Sequence, residues 1–162
     1  MTKQILSILI IFIAFSCHKK QEEETQKTHQ KLILLPPPPK KVDENTLVGF
    51  ACYSSGRKSE PVKIITELLA DKDYNGIRKK LSSKSVAEKY LATITCKKLE
   101  NKNLISLTQV DKSQIKENLI SDEKIVICSG CSNKKELTMK ELFSSDTFLS
   151  AYLEEWLKEM IK

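Results

Sequence analysis

Ile5–Phe15, ILSILIIFIAF, is a run of apolar or small residues without a charge. As a helix it spans about 16 Å at 1.5 Å per residue, against a hydrocarbon core of roughly 30 Å, so it cannot cross a bilayer by itself. Behind it the pattern inverts. His18–Lys31, HKKQEEETQKTHQK, is charged and polar and lacks aromatics. A segment of that composition cannot bury enough surface to fold. A small apolar patch, Leu32–Leu35, and four consecutive prolines, Pro36–Pro39, follow. The prolines predict a polyproline II rod of about 12 Å, a stiff spacer.

From Asn45 onward the apolar positions recur at helical spacing. Thr46 is placed to cap a short helical segment, Leu47–Ser54, with Leu47, Phe50, Ala51 and Tyr53 apolar and Ser55-Gly56 as its break. Ser59-Glu60-Pro61 starts the next helix, because proline is tolerated in a first turn. Val62, Ile65, Leu68 and Leu69 carry that helix to about Ala70. Asp73 caps another, with Tyr74, Ile77 and Leu81 on one face.

Ser85-Val86-Ala87-Glu88 has the form of a capping box, opening a helix to about Lys98. Its apolar residues, Tyr90, Leu91, Ile94, Cys96 and Leu99, point in several directions, which predicts a helix packed on several sides at the centre of the core. Leu104–Val110 fits either period. Asp111–Gln114 is a second capping box, before Ile115 and Leu119. Lys124–Cys128, KIVIC, is the one convincing strand, by its branched residues. Thr138–Glu141 opens a short helix ending near Phe143, and Asp146 caps the last one, Thr147–Met160.

These elements predict a mainly α fold, a compact stack of short helical hairpins with one minor β element near residues 124–128. The short amphipathic helices between Ser59 and Leu99, joined by tight turns, resemble helical-hairpin repeats of the HEAT type. That resemblance implies a right-handed stack of helices of a kind that serves binding rather than catalysis.

The apolar run closes on Ala14-Phe15-Ser16-Cys17. A charged start with Lys3, a short apolar stretch and a small residue before the cut are the layout of a secretory signal. The four residues resemble the lipobox of bacterial lipoproteins, with Phe15 where a small residue is usual. The resemblance implies that residues 1–16 are removed and that Cys17 carries the acyl chains. More than one chain makes such anchoring stable, at about 0.8 kcal/mol per buried CH₂. Residues 17–44 are then a lipidated tether and residues 45–162 the helical domain. Lys19-Lys20-Gln21-Glu22-Glu23-Glu24 resembles the lysine-then-acidic tags that send some lipoproteins to the outer face of the outer membrane. The expected location is the outer membrane, facing the periplasm or the cell exterior.

Charge and composition narrow the functions left open. The chain of 162 residues has a formal charge of +6, spread along its length. Arg78-Lys79-Lys80, Lys97-Lys98 and Lys134-Lys135 read as solvated faces, and an exported protein rarely meets nucleic acid. Both histidines, His18 and His29, lie in the tether, so the domain lacks the commonest general base and metal ligand. The four glycines, Gly49, Gly56, Gly76 and Gly130, cannot assemble a phosphate loop. Neither a metal nor a small-molecule cofactor is expected. Adjacent acids such as Glu154-Glu155 diverge on a helix and do not aim at one substrate atom.

The remaining chemistry is in four cysteines, Cys52, Cys96, Cys128 and Cys131. An even number in an exported chain suggests disulfides, with three possible connectivities. Cys128-Ser129-Gly130-Cys131 is a CxxC at the end of the predicted strand. It reads as a structural bridge, within the motif or from it to Cys52 and Cys96, if the Cα atoms come within about 7 Å. A redox pair, a Cys₄ zinc site and buried thiols are the other readings. The function expected is a membrane-anchored lipoprotein whose helical domain binds a protein or envelope component. A thiol–disulfide redox protein and an inhibitor or immunity-type lipoprotein are the alternatives.

Overall fold

The computed structural model describes residues 42–130 and 133–162. The expected signal, Cys17, the tether up to residue 41 and Cys131 lie outside the described residues. Those described form six α-helices and a three-stranded sheet, so the fold is mainly α with a minor β element. None of these helices is long and apolar enough to cross a membrane.

A 3₁₀ turn, Glu44–Thr46, leads into β1, Leu47–Cys52. Helices α1 (Glu60–Ala70), α2 (Tyr74–Lys79), α3 (Val86–Asn101) and α4 (Gln109–Leu119) follow. Strands β2 (Lys124–Gly130) and β3 (Asn133–Thr138) come next, then α5 (Met139–Ser144) and α6 (Phe148–Met160). The sheet has the order β1-β2-β3, with β1 parallel to β2 and β3 antiparallel to it.

Helix α3 is the centre of the core. Ala87, Tyr90, Leu91, Ala92, Thr93, Thr95, Cys96 and Leu99 are all buried on it. Ser85 caps it, accepting from Glu88 N at 3.3 Å. The reciprocal half of the expected capping box is not made. The Glu88 carboxylate instead accepts from Ser83 Oγ at 2.5 Å and from Lys80 Nζ at 3.0 Å. Helix α4 is locked onto α3 by Asn118, a buried amide that donates to Leu81 O at 3.0 Å and Thr93 Oγ1 at 2.9 Å.

Three expectations are corrected. The segment 47–54, expected to be helical, is β1 (Leu47–Cys52) followed by the start of a turn. Helix α4 begins three residues earlier than expected, because Thr108 is its cap. The Thr108 side chain accepts from Asp111 N, and the Asp111 carboxylate accepts from Thr108 N at 2.8 Å. Helix α6 is capped by Thr147 rather than Asp146, with Thr147 N donating to Ser150 Oγ at 3.1 Å.

Successive strand residues face opposite sides of a sheet. Val48, Ile125 and Ile127 lie on the side packed into the main core with Leu91, Leu149 and Leu157. Leu47, Cys52 and Cys128 form a second buried cluster, with Val42, Tyr53 and Val126 against it. Strict alternation from Val48 would put Cys52 on the core side. A bulge prevents this. Val48 pairs with Ile127 and Ala51 with Ser129, so β1 spends three steps where β2 spends two. The extra residue inverts the phase and brings Cys52 to the same side as Leu47 and Cys128.

Gly49 occupies the bulge. A Cβ there would lie 2.5 Å from Cys128 Sγ and 2.6 Å from Cys128 O, closer than side chains approach. Its N–H donates to Ser59 Oγ at 3.2 Å and its carbonyl accepts from Ser59 N at 2.9 Å. The cap of α1 is thereby tied to β1, and Ser59 is buried.

Candidate interaction surface

The Cys52–Cys128 disulfide joins β1 to β2 across 76 residues of sequence, with the Cα atoms 5.5 Å apart. Both cysteines are buried. Cys96, expected among the disulfide candidates, is instead a free, buried thiol on α3. Burial, reinforced by the Asp111 and Glu100 charges and opposed by Arg78, pushes its pKa up to about 12. It is therefore a protonated core residue at neutral pH. Of the CxxC cysteines, Cys128 is committed to Cys52, and Cys131 lies outside the described residues.

The disulfide organises the end of the sheet. After Cys52 the chain turns through Tyr53–Gly56 and pairs back on itself: Cys52 N donates to Arg57 O at 2.8 Å, and Arg57 N to Cys52 O at 3.1 Å. Tyr53 and Gly56 hold left-handed backbone, with φ of 62° and 60°. For tyrosine that conformation costs on the order of 1 kcal/mol. It is held in place from the neighbouring strand, where Gly130 O accepts from Tyr53 N at 2.9 Å. The Tyr53 ring is consequently fixed at the tip. The Arg57 guanidinium carbon lies 5.0 Å from the ring centroid and Lys134 Nζ 5.1 Å from it. Each cation–aromatic contact contributes about 0.5–1 kcal/mol at an exposed site. Arg57, Lys58, Lys134 and Lys135 are all exposed here.

A second feature adjoins Lys58. Phe50 and Trp156 pack with ring centroids 5.4 Å apart, tilted by 50°. Trp156 is buried, its indole N–H donating to Thr66 Oγ1 at 3.1 Å. Tyr152, which is 43% exposed, completes a shallow cleft of about 130 Å³ with Lys58, Glu155 and Glu159. Phe148, four residues before Tyr152 on α6, is 39% exposed. Helical spacing of four puts these two rings on one face.

The other depressions are mixed in charge. Lys98, Lys102, Glu154, Glu155 and Lys158 line one beside α6, and Asn75, Arg78, Lys79 and Asp111 line another beside α2. In the latter, Arg78 Nη2 is 2.7 Å from Asp111 Oδ2. Burial works against the charged Asp111, but hydrogen bonds from Thr108 and the Arg78 guanidinium outweigh it and hold its pKa below the usual carboxylate range. Among the described residues, no three of the His, Cys, Asp and Glu side chains converge as a metal-holding group.

The disulfide partners were among the residues singled out from sequence. Tyr53 and Arg57 were not. Nothing in the pattern marks Tyr53 as a left-handed residue, and the helical reading of 47–54 would have hidden its ring. The Lys134-Lys135 pair was noticed only as a solvated face. No family model, curated protein or solved structure matches this chain.

Proposed function

We propose that the chain is a membrane-anchored lipoprotein, lipidated on Cys17, whose folded domain binds a protein or envelope component. The carrying observation is the order of the first 44 residues: an uncharged run too short to span, closed by Ser16-Cys17, then a polar, proline-bearing spacer. The disulfide supports it, since such bonds persist in oxidising compartments outside the cytosol. The run of lysines and glutamates after Cys17 favours the outer membrane. The finer reading of the helices is a HEAT-like stack of short hairpins between Ser59 and Leu99.

The binding role is carried by presented surface. The domain offers exposed aromatics on α6 and the Tyr53–Arg57 pair at the sheet end, and aromatic residues and arginine are enriched at protein interfaces. The anchor is tested by metabolic labelling with a radioactive fatty acid. The expected result is label on the wild-type chain and none on Cys17→Ser, with loss of the variant from the membrane fraction. An unlabelled, uncut, still membrane-bound wild type would refute it. Crosslinked capture from intact cells identifies the partner.

One observation favours a second reading, thiol–disulfide exchange. Cys128 belongs both to a CxxC and to the bond with Cys52. A reduction potential below about −300 mV marks a stable structural bridge and eliminates this reading.

A further inference from the structure

We propose that the cleft between α6 and β1 is a binding site for a small organic cation of the quaternary ammonium class. The inference goes beyond the partner-binding role proposed above and does not depend on the lipid anchor.

Residues that suit such a cation converge there. Phe50, Tyr152 and Trp156 line the cleft together with Glu155, Glu159 and Lys58. On α6 the spacing of residues 152, 155, 156 and 159 by three and four places their side chains along one stripe. Phe50 joins that stripe through Trp156, with the ring centroids 5.4 Å apart. Trp156 is buried and contributes little surface, so the half-buried Phe50 and the exposed Tyr152 supply most of the aromatic wall. The face of an aromatic ring attracts a cation held within about 6 Å of its centroid.

The carboxylates supply the charge. Glu155 and Glu159 make no ion pair or hydrogen bond among the described residues, whereas Glu154 beside them lies 3.7 Å from Lys98. They stand four apart on one helix, a like-charge spacing that destabilises it. A cation seated beside both relieves that repulsion. Lysines lie close by. Lys58 is in the cleft itself, Lys98, Lys102 and Lys158 share a neighbouring depression with Glu155, and Lys72 shares another with Glu159. None of them pairs with Glu155 or Glu159 among the described residues. The cleft therefore sets two carboxylates against one ammonium and is negative.

The scarcity of hydrogen-bonding groups selects the class of cation. The Trp156 indole N–H is spent on Thr66 Oγ1 at 3.1 Å. A primary ammonium carries three donors, each of which needs an acceptor when it leaves water. A quaternary ammonium carries none, and its methyl groups match aromatic carbon. The volume of about 130 Å³ is the room of about four water molecules at roughly 30 Å³ each, which is the size of a trimethylammonium head.

Trp156 is the single tryptophan of the chain, so its fluorescence reports this cleft. The full chain carrying Cys17→Ser is titrated with choline chloride against sodium chloride at fixed ionic strength, and saturation-transfer NMR on the choline methyl protons gives the affinity independently. The expected result is saturable binding with a dissociation constant on the order of 1 mM, in keeping with a shallow, open site. Choline's uncharged isostere, with carbon in place of nitrogen, should bind at least about fivefold more weakly. Tyr152→Ala should weaken choline binding by about two- to fivefold, the worth of one cation–aromatic contact. Glu155→Gln with Glu159→Gln should weaken it by about fivefold, and Lys58→Ala should tighten it by about twofold. Because Lys58→Ala is expected to gain affinity, the proposal stays testable if a weakened variant proves misfolded by circular dichroism. The absence of saturable binding overturns the proposal, as does an equal affinity for the isostere or an unchanged affinity in the folded double glutamine variant. Tighter binding of phosphocholine, whose phosphate meets both carboxylates, also overturns it and assigns the cleft to a phospholipid head group. Tighter binding of butylammonium overturns it as well, assigning the cleft to a lysine side chain of a partner protein.

Discussion

Breaking the Cys52–Cys128 bond is the perturbation whose magnitude the structure sets most directly. The bond closes a loop of 76 residues that leaves the last residue of β1, takes in every helix from α1 to α4 and ends within β2. In the chain-entropy treatment, a loop of that length restricts the unfolded chain enough to stabilise the fold by about 4.5 kcal/mol. Replacing both buried cysteines with alanine also removes two sulfur atoms from a cluster that includes Leu47, adding on the order of 1 kcal/mol. For a domain of this size the loss corresponds to a fall in Tm of about 15 °C or more. The comparison is made at about pH 5 in a Cys17→Ser, Cys131→Ser parent, so that Cys96, the remaining free thiol among the described residues, stays protonated and does not exchange with the bond when urea exposes it. Urea unfolding followed by circular dichroism gives midpoint and slope. Cys52→Ala with Cys128→Ala should lower the midpoint and steepen the slope, since the unlinked chain exposes more surface on unfolding. Reduction of the parent should reproduce most of the loss. A loss below about 1 kcal/mol with an unchanged slope would refute the loop-closure argument. The bond would then be a passive consequence of the strand pairing.

Further outcomes follow from single sites. Gly49→Ala forces a methyl group against Cys128 Sγ and its carbonyl, and should cost about 1–3 kcal/mol in urea unfolding, with slower formation of the disulfide. Asn118→Ala strips the buried Leu81 carbonyl and Thr93 hydroxyl of their donor, and should cost about 2–4 kcal/mol in the same assay. In the parent lacking Cys17 and Cys131, Cys96 should be inert to a thiol reagent at pH 8, because its pKa is about 12, and should react once urea unfolds the chain. Asp111 has a depressed pKa in the fold, so its contribution is present above its unfolded value of about 3.9 and is lost as pH falls through the depressed one. Asp111→Asn should therefore be less stable than wild type at pH 7, by about 1 kcal/mol, with the gap closing below about pH 4.

The helices were legible because their signals are local. Pro61 in the first turn, Asp73, Ser85 and Thr138 at caps, and the all-round apolar load of α3 each act within a few residues of where they stand. The start of α4 was misplaced for a local reason. Thr108-Gln109-Val110-Asp111 and Asp111-Lys112-Ser113-Gln114 both have capping-box form, and pattern alone does not rank them. The structure selects the first, which lets Asp111 serve Thr108 and Arg78 together. The sheet was harder. β2 announces itself with Ile125, Val126 and Ile127, but β3, NKKELT, is an edge strand whose residues 134–136 are all exposed, so no apolar alternation reveals it.

The misreading of β1 and the geometry of the candidate surface have one cause. A bulge breaks period-two alternation, and here it leaves Leu47, Phe50 and Ala51 at spacings that imitate a helix. The same extra residue turns Cys52 away from the main core toward Cys128. Once those sulfurs are joined, Tyr53 is the next residue and must turn immediately, and the turn it makes returns Arg57 to its ring. Gly49 permits the bulge, the bulge permits the disulfide, and the disulfide positions the exposed tip. The surface therefore depends on a residue with no side chain at a position no periodicity identifies. The tight chain of dependence also means that Gly49→Ala should slow closure of the Cys52–Cys128 bond as well as lower stability, whereas Arg57→Ala, beyond the bond, should leave closure of the disulfide unchanged. A Gly49→Ala chain that closes its disulfide at the wild-type rate and keeps the wild-type urea midpoint would break that chain of dependence at its first link.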